Sequence, residues 1–152
     1  MPEYLETTVD KFTFRVAKGR FYAPEGVWIE APQPGKPSRV RLGVTDFFQQ
    51  HNGDVAFATV KPPGTRLNSG DEIAEIESMK VTLELPSPVT GTVVEVNKGL
   101  ERNPELINQD PYGRGWLAVI EPTGWEMDRT KLLDATAYLA IVESQAEEEL
   151  KS

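Results

Sequence analysis

Cysteine is absent from the 152 residues of the chain, and histidine occurs only once, at position 51. Without cysteine, disulfide scaffolds, cysteine-bound zinc, iron–sulfur clusters and thiol nucleophiles are excluded. A histidine-dependent triad would have to use His51, and a metal site with two histidines is impossible. We therefore expect no catalytic residues and no metal site, so that any redox chemistry must come from an attached group.

Long apolar runs are also missing. No apolar stretch reaches the length of about 18 residues that a membrane-spanning helix needs. The first six residues contain acids where a signal peptide would contain bases. The net charge of −8 disfavours nucleic-acid binding and suits solubility or docking to a basic protein. We expect a cytoplasmic monomer that binds neither membranes nor nucleic acids.

Short runs with β-strand character are separated by the twelve prolines and twelve glycines. Lys11–Val16 and Arg39–Val44 alternate apolar and polar residues, which is typical of strands with one buried face. The other strand-like runs are Val27–Glu30, Val55–Val60, Glu72–Ile76, Val81–Leu85, Thr92–Val96 and Trp116–Ile120. Many short strands with regular turns predict a mainly β fold, a sandwich or barrel, and not a parallel α/β sheet.

Three segments have helical character. Thr45-Asp46 is predicted to cap a short helix over Phe47–His51, which ends at Asn52-Gly53. Gln49 has a spacing from Asp46 like that of a capping box. The sequence Asn103-Pro104-Glu105-Leu106 predicts a single helical turn. A periodic apolar stripe predicts one long helix over residues 129–150, in which the acids at 147–149 fray into solvent.

The most informative segment surrounds Lys80. Two short strands meet at Glu77-Ser78-Met79-Lys80, with Gly70 ten positions before the lysine and Gly91 eleven after it. The tip contains no dipeptide that favours tight turns, such as Asn-Gly, so its residue types alone support a hairpin only weakly. A lysine on an exposed, rigid tip is accessible to a modifying enzyme and can root a swinging cofactor. Taken alone, however, such a lysine is more often an ordinary solubilising residue.

Several motifs together give the chain a family resemblance. The segment from Glu77 to Lys80 resembles the attachment hairpin of lipoyl and biotinyl carriers. Further motifs are Tyr22-Ala23-Pro24-Glu25…Trp28, Gly43-Val44-Thr45-Asp46, Asn103-Pro104-Glu105-Leu106-Ile107-Asn108, Asp110-Pro111-Tyr112-Gly113 and Leu132-Leu133-Asp134-Ala135. In this order they resemble the H-protein family of the glycine cleavage system, over about residues 21–142.

This resemblance implies a barrel-sandwich hybrid of the lipoyl-carrier kind, with short helices and a C-terminal helix. Lipoate would be covalently bound to Lys80, with Glu77, Ser78 and Met79 forming the rest of the tip. Such a protein is not an enzyme, because it shuttles an aminomethyl group between others. The implied partners are glycine decarboxylase, aminomethyltransferase, dihydrolipoamide dehydrogenase, and a lipoate ligase or lipoyl transferase.

The resemblance also suggests three ranges along the chain. Residues 1–20 would be an N-terminal extension with an edge strand, and residues 21–128 the lipoyl-carrier β domain. Residues 129–152 would form the C-terminal helix and an acidic tail. Residues 1–20 precede the position at which sequences of this family usually begin.

The chain departs from the family where a His-Glu pair usually precedes the motif tryptophan, because Gly26 and Val27 stand there. In the family that glutamate helps to hold the loaded amine in a cleft, which a valine cannot do. His51 and Glu84 align with two other residues of this cleft, although His51 could equally be a helix C-terminal histidine that favours the dipole. The departure leaves open an H-like lipoate carrier in another pathway, such as sulfur oxidation.

The residues beside the lysine leave two further alternatives. Met79 is more typical of biotin carriers, so a biotinyl carrier remains a minor alternative. The acids of the preceding strand, Asp71, Glu72, Glu75 and Glu77, form either a solvated face or an acidic docking rim beside the arm.

Overall fold

Short antiparallel strands contain more residues than the helices do, as the alternating pattern predicted. The structure is a computed structural model that describes residues 3–151. Its strands are β1 (Tyr4–Val9), β2 (Phe12–Ala17), β3 (Phe21–Ala23), β4 (Val27–Glu30), β5 (Val40–Val44), β6 (Val55–Val60), β7 (Arg66–Leu67), β8 (Glu72–Ser78), β9 (Thr82–Pro86), β10 (Gly91–Val96) and β11 (Ala118–Pro122). The last strand begins two residues later than predicted, because Trp116 still belongs to a turn in which its N–H donates to the carbonyl of Gly113.

Two sheets enclose the main hydrophobic core. One has the strand order β3-β4-β5-β11-β10-β7, and the other has the order β6-β8-β9. Ile29, Leu42 and Ile120 from the larger sheet and Ile76 and Leu85 from the smaller one are at most 2% exposed. The alternation of buried and exposed residues along these strands is the pattern of a sandwich, in which each sheet turns one face inward. The predicted mainly β sandwich class is confirmed.

The N-terminal segment forms a sheet of its own. The strand predicted over Lys11–Val16 is present as β2, shifted by one residue. It pairs with β1, which the sequence pattern did not indicate, and not with the six-stranded sheet. Phe14 and Val16 are buried on a second hydrophobic cluster, whereas Phe12 is 48% exposed. Burial of alternate residues on this second cluster explains why the hairpin lies apart from the larger sheet.

The second cluster joins the hairpin to the helices. The helices are α1 (Asp46–Asn52), α2 (Leu106–Gln109), α3 (Trp125–Asp128) and α4 (Ala135–Lys151), with single 3-10 turns at Lys98–Glu101 and Arg129–Lys131. Tyr22 and Tyr138 stack in this cluster with ring centroids 4.8 Å apart. The hydroxyl of Tyr22 donates to the carbonyl of Ala17 at 2.5 Å. These contacts fix the hairpin and α4 against β3, the edge strand of the larger sheet.

The C-terminal helix begins later than the sequence predicted. The single helix expected over 129–150 is wrong at its start, because α3 and a 3-10 turn precede α4. Asp134 sets the start, since its Oδ1 accepts from the N–H of Ala137 at 2.8 Å in the manner of an N-cap. The acids at 147–149 are helical and exposed and do not fray.

The three-range division of the chain stays a prediction. The side chain of Thr7 in β1 donates to Glu143 in α4 at 3.1 Å, so the two outer ranges contact each other. Met1, Pro2 and Ser152, which belong to those ranges, lie outside the described residues. Between residues 3 and 151, every helix is too short or too polar to cross a bilayer.

Gly43 tests the packing of the larger sheet. It lies opposite Trp28 in the register of β4 and β5, and a Cβ at this position would overlap the indole ring. Trp28 is fully buried, so Gly43→Ala is expected to lower the free energy of unfolding by about 1–3 kcal/mol in urea denaturation. The control is Gly124→Ala, whose Cβ would lie 3.8 Å from Asp128. Equal losses in the two variants would contradict this packing.

Candidate functional site

The lysine singled out in the sequence lies at the tip of the hairpin formed by β8 and β9. The last paired residues are Glu77 and Thr82, and the chain reverses through Met79 and Lys80. The side chain of Met79 is 81% exposed, and Lys80 is exposed as well. The predicted tip is therefore present, with its amine on the surface.

Hydrogen bonds of Ser78 stabilise the turn, which lacks a dipeptide such as Asn-Gly. Its N–H donates to the carbonyl of Val81 at 2.9 Å, and its Oγ accepts from the N–H groups of Lys80 and Val81, each at 3.2 Å. Among residues 3–151, Asp10 is the one non-glycine residue with positive φ, so the tip is not a type I′ turn. A serine that bonds the backbone two and three residues ahead is the sequence signal that could have strengthened the hairpin prediction.

The tip is also tied to the body of the protein through the end of α1. The N–H of Met79 donates to the carbonyl of Asp54 at 3.2 Å. The Nζ of Lys80 donates to the carbonyl of His51 at 3.2 Å. The side chain of Lys80 passes close to Gly53, where a Cβ would lie 3.5 Å from its Cδ, at an ordinary van der Waals distance. The backbone of the tip is thus held on two sides while the amine stays accessible.

Of the two residues predicted to cap helix α1, Thr45 is the N-cap. Its Oγ1 accepts from the N–H of Phe48 at 3.2 Å. The expected partner Gln49 donates through its side chain to Oδ1 of Asp46 at 2.9 Å, so the pair forms a side-chain bond within the first turn and not a capping box. At the other end, Gly53 has φ of 83°, which favours glycine.

Asn108 joins α1 to the start of β6. Its Oδ1 accepts from the N–H of Val55 at 2.9 Å, and its Nδ2 donates to the carbonyl of Gly53 at 3.0 Å. The same amide group also donates to Oε1 of Gln49. Asn108 closes the Asn103–Asn108 motif, but the sequence did not reveal that it positions the segment beneath the lysine.

A cleft of about 600 Å³ lies beside the hairpin, between α1 and α4. Its lining residues are Pro24, Glu25, Phe47, Phe48, His51, Asn52, Leu83, Tyr138, Gln145, Glu148 and Glu149. The Nδ1 of His51 pairs with Glu149 of α4 at 2.5 Å, and its ring stacks on Phe47. Burial raises the pKa of Tyr138 to about 12, so its hydroxyl is neutral and bonds to Thr45 at the base of the cleft.

The structure does not bring Glu84 together with His51. Neighbouring residues of a strand point to opposite faces. Leu83 lines the cleft, so Glu84 lies on the other face of the sheet, where its carboxylate is within 4.8 Å of those of Glu72 and Glu75. The alignment that placed Glu84 near the cleft could not resolve which face it occupies.

The Gly26-Val27 pair also has a different setting from the expected one. Val27 is 1% exposed and belongs to the main core, so its side chain does not face the cleft. Gly26 has φ of 100°, and a Cβ there would lie 3.1 Å from Cβ of Phe48. Glu25, which is exposed, places a carboxylate on the cleft instead.

Comparisons with known proteins agree on one family. The family model described as "Glycine cleavage H-protein" matches residues 20–145. A probable glycine cleavage system H protein of Thermococcus gammatolerans is 37% identical over 131 residues, which are 86% of this chain and 95% of that protein. The glycine cleavage system H protein of a Thermus thermophilus strain is 39% identical over 131 residues, 86% of this chain and 98% of that protein.

A solved structure gives the same result. The crystal structure of a glycine cleavage system H protein from Mycobacterium marinum matches with a TM-score of 0.72 at 31% identity. The match covers 80% of this chain and 94% of that one. Strands β1 and β2 precede the residues that the family model matches.

Replacing the turn-closing serine tests how the tip is held. In Ser78→Ala the hydroxyl that accepts from Lys80 and Val81 is lost, so hydrogen exchange of these two amides is expected to accelerate. Ser144→Ala, at an exposed position of α4, serves as the control and should leave both rates unchanged. Unchanged exchange in Ser78→Ala would mean that the sheet alone holds the tip.

Proposed function

The chain belongs to the glycine cleavage H-protein family, and on this premise we propose that Lys80 carries a lipoyl group in amide linkage. As a member of the family, the protein is a carrier on which partner enzymes act and is not itself a catalyst. Its function is to shuttle the aminomethyl group of glycine between the enzymes of glycine cleavage. When bound, the lipoyl group supplies a dithiolane at the end of a long arm.

The presentation of Lys80 is the observation that supports this attachment site. Lys80 is exposed, and the backbone of the tip is fixed by Ser78 and by the carbonyl of Asp54. Among residues 3–151, the amine makes one hydrogen bond, to a main-chain carbonyl, and no ion pair, so forming an amide would cost at most that bond there. A modifying enzyme can therefore reach the amine without unfolding the hairpin, and we propose that it reads Glu77, Ser78 and Met79 as the rest of the tip.

The cleft between α1 and α4 suits the loaded arm. It begins at His51, whose carbonyl contacts the Nζ of Lys80, so the root of the arm lies at its edge. Phe47 and Phe48 supply apolar lining, and Glu25 supplies a carboxylate that can stabilise an ammonium group. We propose that His51 lines the site where the arm rests and that Glu25 holds the cationic end of the cargo there. This assignment removes the need for a carboxylate at position 27.

Membership of the family implies that the partners are enzymes of the glycine cleavage system. We propose in particular glycine decarboxylase, aminomethyltransferase and dihydrolipoamide dehydrogenase, with a lipoate ligase or lipoyl transferase for attachment. The protein would meet them as a cytoplasmic monomer. A net charge of −8 suits transient docking to basic surfaces.

Mass spectrometry of Lys80→Arg tests the attachment. The wild-type protein from its native cells should carry a lipoyl mass on the Lys80 peptide, and the variant should carry none because arginine offers no amine for the amide. Its free energy of unfolding should change by no more than about 0.5 kcal/mol, as expected of an exposed position. Lys98→Arg, on another exposed lysine, should keep the modification. A biotinyl mass, or an unmodified Lys80 in cells that lipoylate other proteins, would contradict the proposal.

The lifetime of the loaded arm tests the cleft. After loading with glycine and glycine decarboxylase, Glu25→Gln should release the cargo roughly 1.5- to 5-fold faster, which is the range expected for one partly exposed charge pair. Release is measured as loss of the glycine-dependent mass with time. Glu95→Gln, an exposed glutamate on β10, should release it at the wild-type rate. Identical lifetimes would remove Glu25 from the site, and failure of the wild-type protein to load would contradict glycine as the source.

A further inference from the structure

The three-stranded sheet leaves one of its faces uncovered. Ala74, Ile76 and Leu85 of its strands point into the main core. The opposite face, which we call the outer face, consists of two rows of paired residues, Phe57, Glu77 and Thr82 in one row and Thr59, Glu75 and Glu84 in the other. All six are exposed. The outer face is therefore a solvent-facing surface that is continuous with the Lys80 hairpin, because β8 and β9 form both.

An aromatic side chain stands exposed on this face. Phe57 is 64% exposed and lies opposite Glu77, three residues before Lys80. Met79 and Val81 at the tip are 81% and 38% exposed. Exposed apolar groups gathered at one place, with polar residues around them, are typical of surfaces that bind another protein. The main core does not need Phe57, since Val55 and Ala58 of the same strand already pack against it.

The carboxylates of the outer face are uncompensated. Glu75 and Glu84 are directly opposite in the register, an arrangement of like charges that destabilises a sheet. Glu72, close to both, pairs with Lys61 at 3.1 Å. Within the described part of the chain, no ion pair joins Glu75, Glu77 or Glu84 to a base. A cationic surface brought against this face would relieve the repulsion, whereas a neutral or acidic one would not.

We propose that the outer face is a docking surface for an enzyme that takes up the Lys80 arm, and that this enzyme presents lysine or arginine side chains around an apolar recess for Phe57. The inference rests on the proposed attachment of the arm to Lys80. An enzyme whose active site admits the arm must come close to the tip of the hairpin formed by β8 and β9. The outer face belongs to the same two strands, so it would lie next to that enzyme. Phe57 then acts as the apolar anchor, while Glu75 and Glu84 set the orientation.

Kinetics with the purified partner enzymes test the proposal. Lipoylated wild-type protein, Phe57→Ser, and the double variant Glu75→Gln with Glu84→Gln are compared as substrates of glycine decarboxylase, aminomethyltransferase and dihydrolipoamide dehydrogenase. For at least one enzyme, KM for the carrier should rise about tenfold in Phe57→Ser, as expected for a buried aromatic anchor, with kcat unchanged. In the wild-type protein KM should rise with salt, and this dependence should weaken in the double variant.

Matched controls separate docking from folding. Met127→Ser removes an apolar side chain of similar exposure, and the double variant Glu95→Gln with Glu121→Gln removes two charges from the larger sheet. Both should leave KM unchanged. The Glu75→Gln and Glu84→Gln pair should melt at or above the wild-type temperature, because the opposed charges are removed. Loss of stability together with a higher KM would overturn the proposal, since that combination indicates a structural role.

The outcomes also distinguish this inference from the proposed function. If the lipoylated wild-type protein is accepted by the enzymes but every variant keeps the wild-type KM, docking at the outer face is wrong and the carrier function stands. If the wild-type protein carries no lipoyl group on Lys80, the carrier function itself fails, and the inference fails with it.

Discussion

On the proposed attachment, the amine of Lys80 has to be accessible while the backbone that supports it is fixed, and the contacts around the tip meet this requirement. Pairing of β8 with β9 brings the chain to the tip, and the hydroxyl of Ser78 closes it where no glycine or asparagine is present. The carbonyl of Asp54 then holds the tip from the side. A swinging arm gains its reach from a root that does not move, so these few hydrogen bonds matter more to function than their small contribution to stability.

The support for that root extends far from it along the chain. Helix α1, whose last turn contacts Lys80, is held by hydrogen bonds from Asn108 on one side and from the N-terminal hairpin on the other. In the hairpin, the N–H of Arg15 donates to Asp46 and the carbonyl of Thr13 accepts from Gln50. The cleft has a second wall because α4 packs on the same cluster and Glu149 pairs with His51. Residues outside the family match thus help to shape the site within it.

The lysine, most of the strands and the family could be predicted from the sequence, because these depend on local alternation and on motifs in a fixed order. Prediction from the sequence failed where the answer depends on side-chain direction or on which of two adjacent residues forms a bond. The sequence offered both Thr45 and Asp46 as caps of α1 without distinguishing them, and α4 begins six positions after the predicted residue 129, with Asp134 as its cap. The direction of Glu84 and the burial of Val27 depend on the pairing of strands that are distant in sequence. Strand β1 was missed because its alternation is weak, and its partner strand and α4 determine its place.

The contact between Thr7 and Glu143 joins residues 136 positions apart, and the strand and helix that form it, β1 and α4, both contribute residues to the second hydrophobic cluster. During synthesis on the ribosome, the strands of all three sheets emerge before α4 does. The hairpin of β1 and β2 therefore cannot pack against α4 until the end of the chain has been made. Such non-local contacts slow folding, because a long loop has to close before they form. The Lys80 hairpin can therefore be complete while the cleft beside it is still open on one side. The order of synthesis thus allows the Lys80 tip to form before α4 supplies the second wall of the cleft.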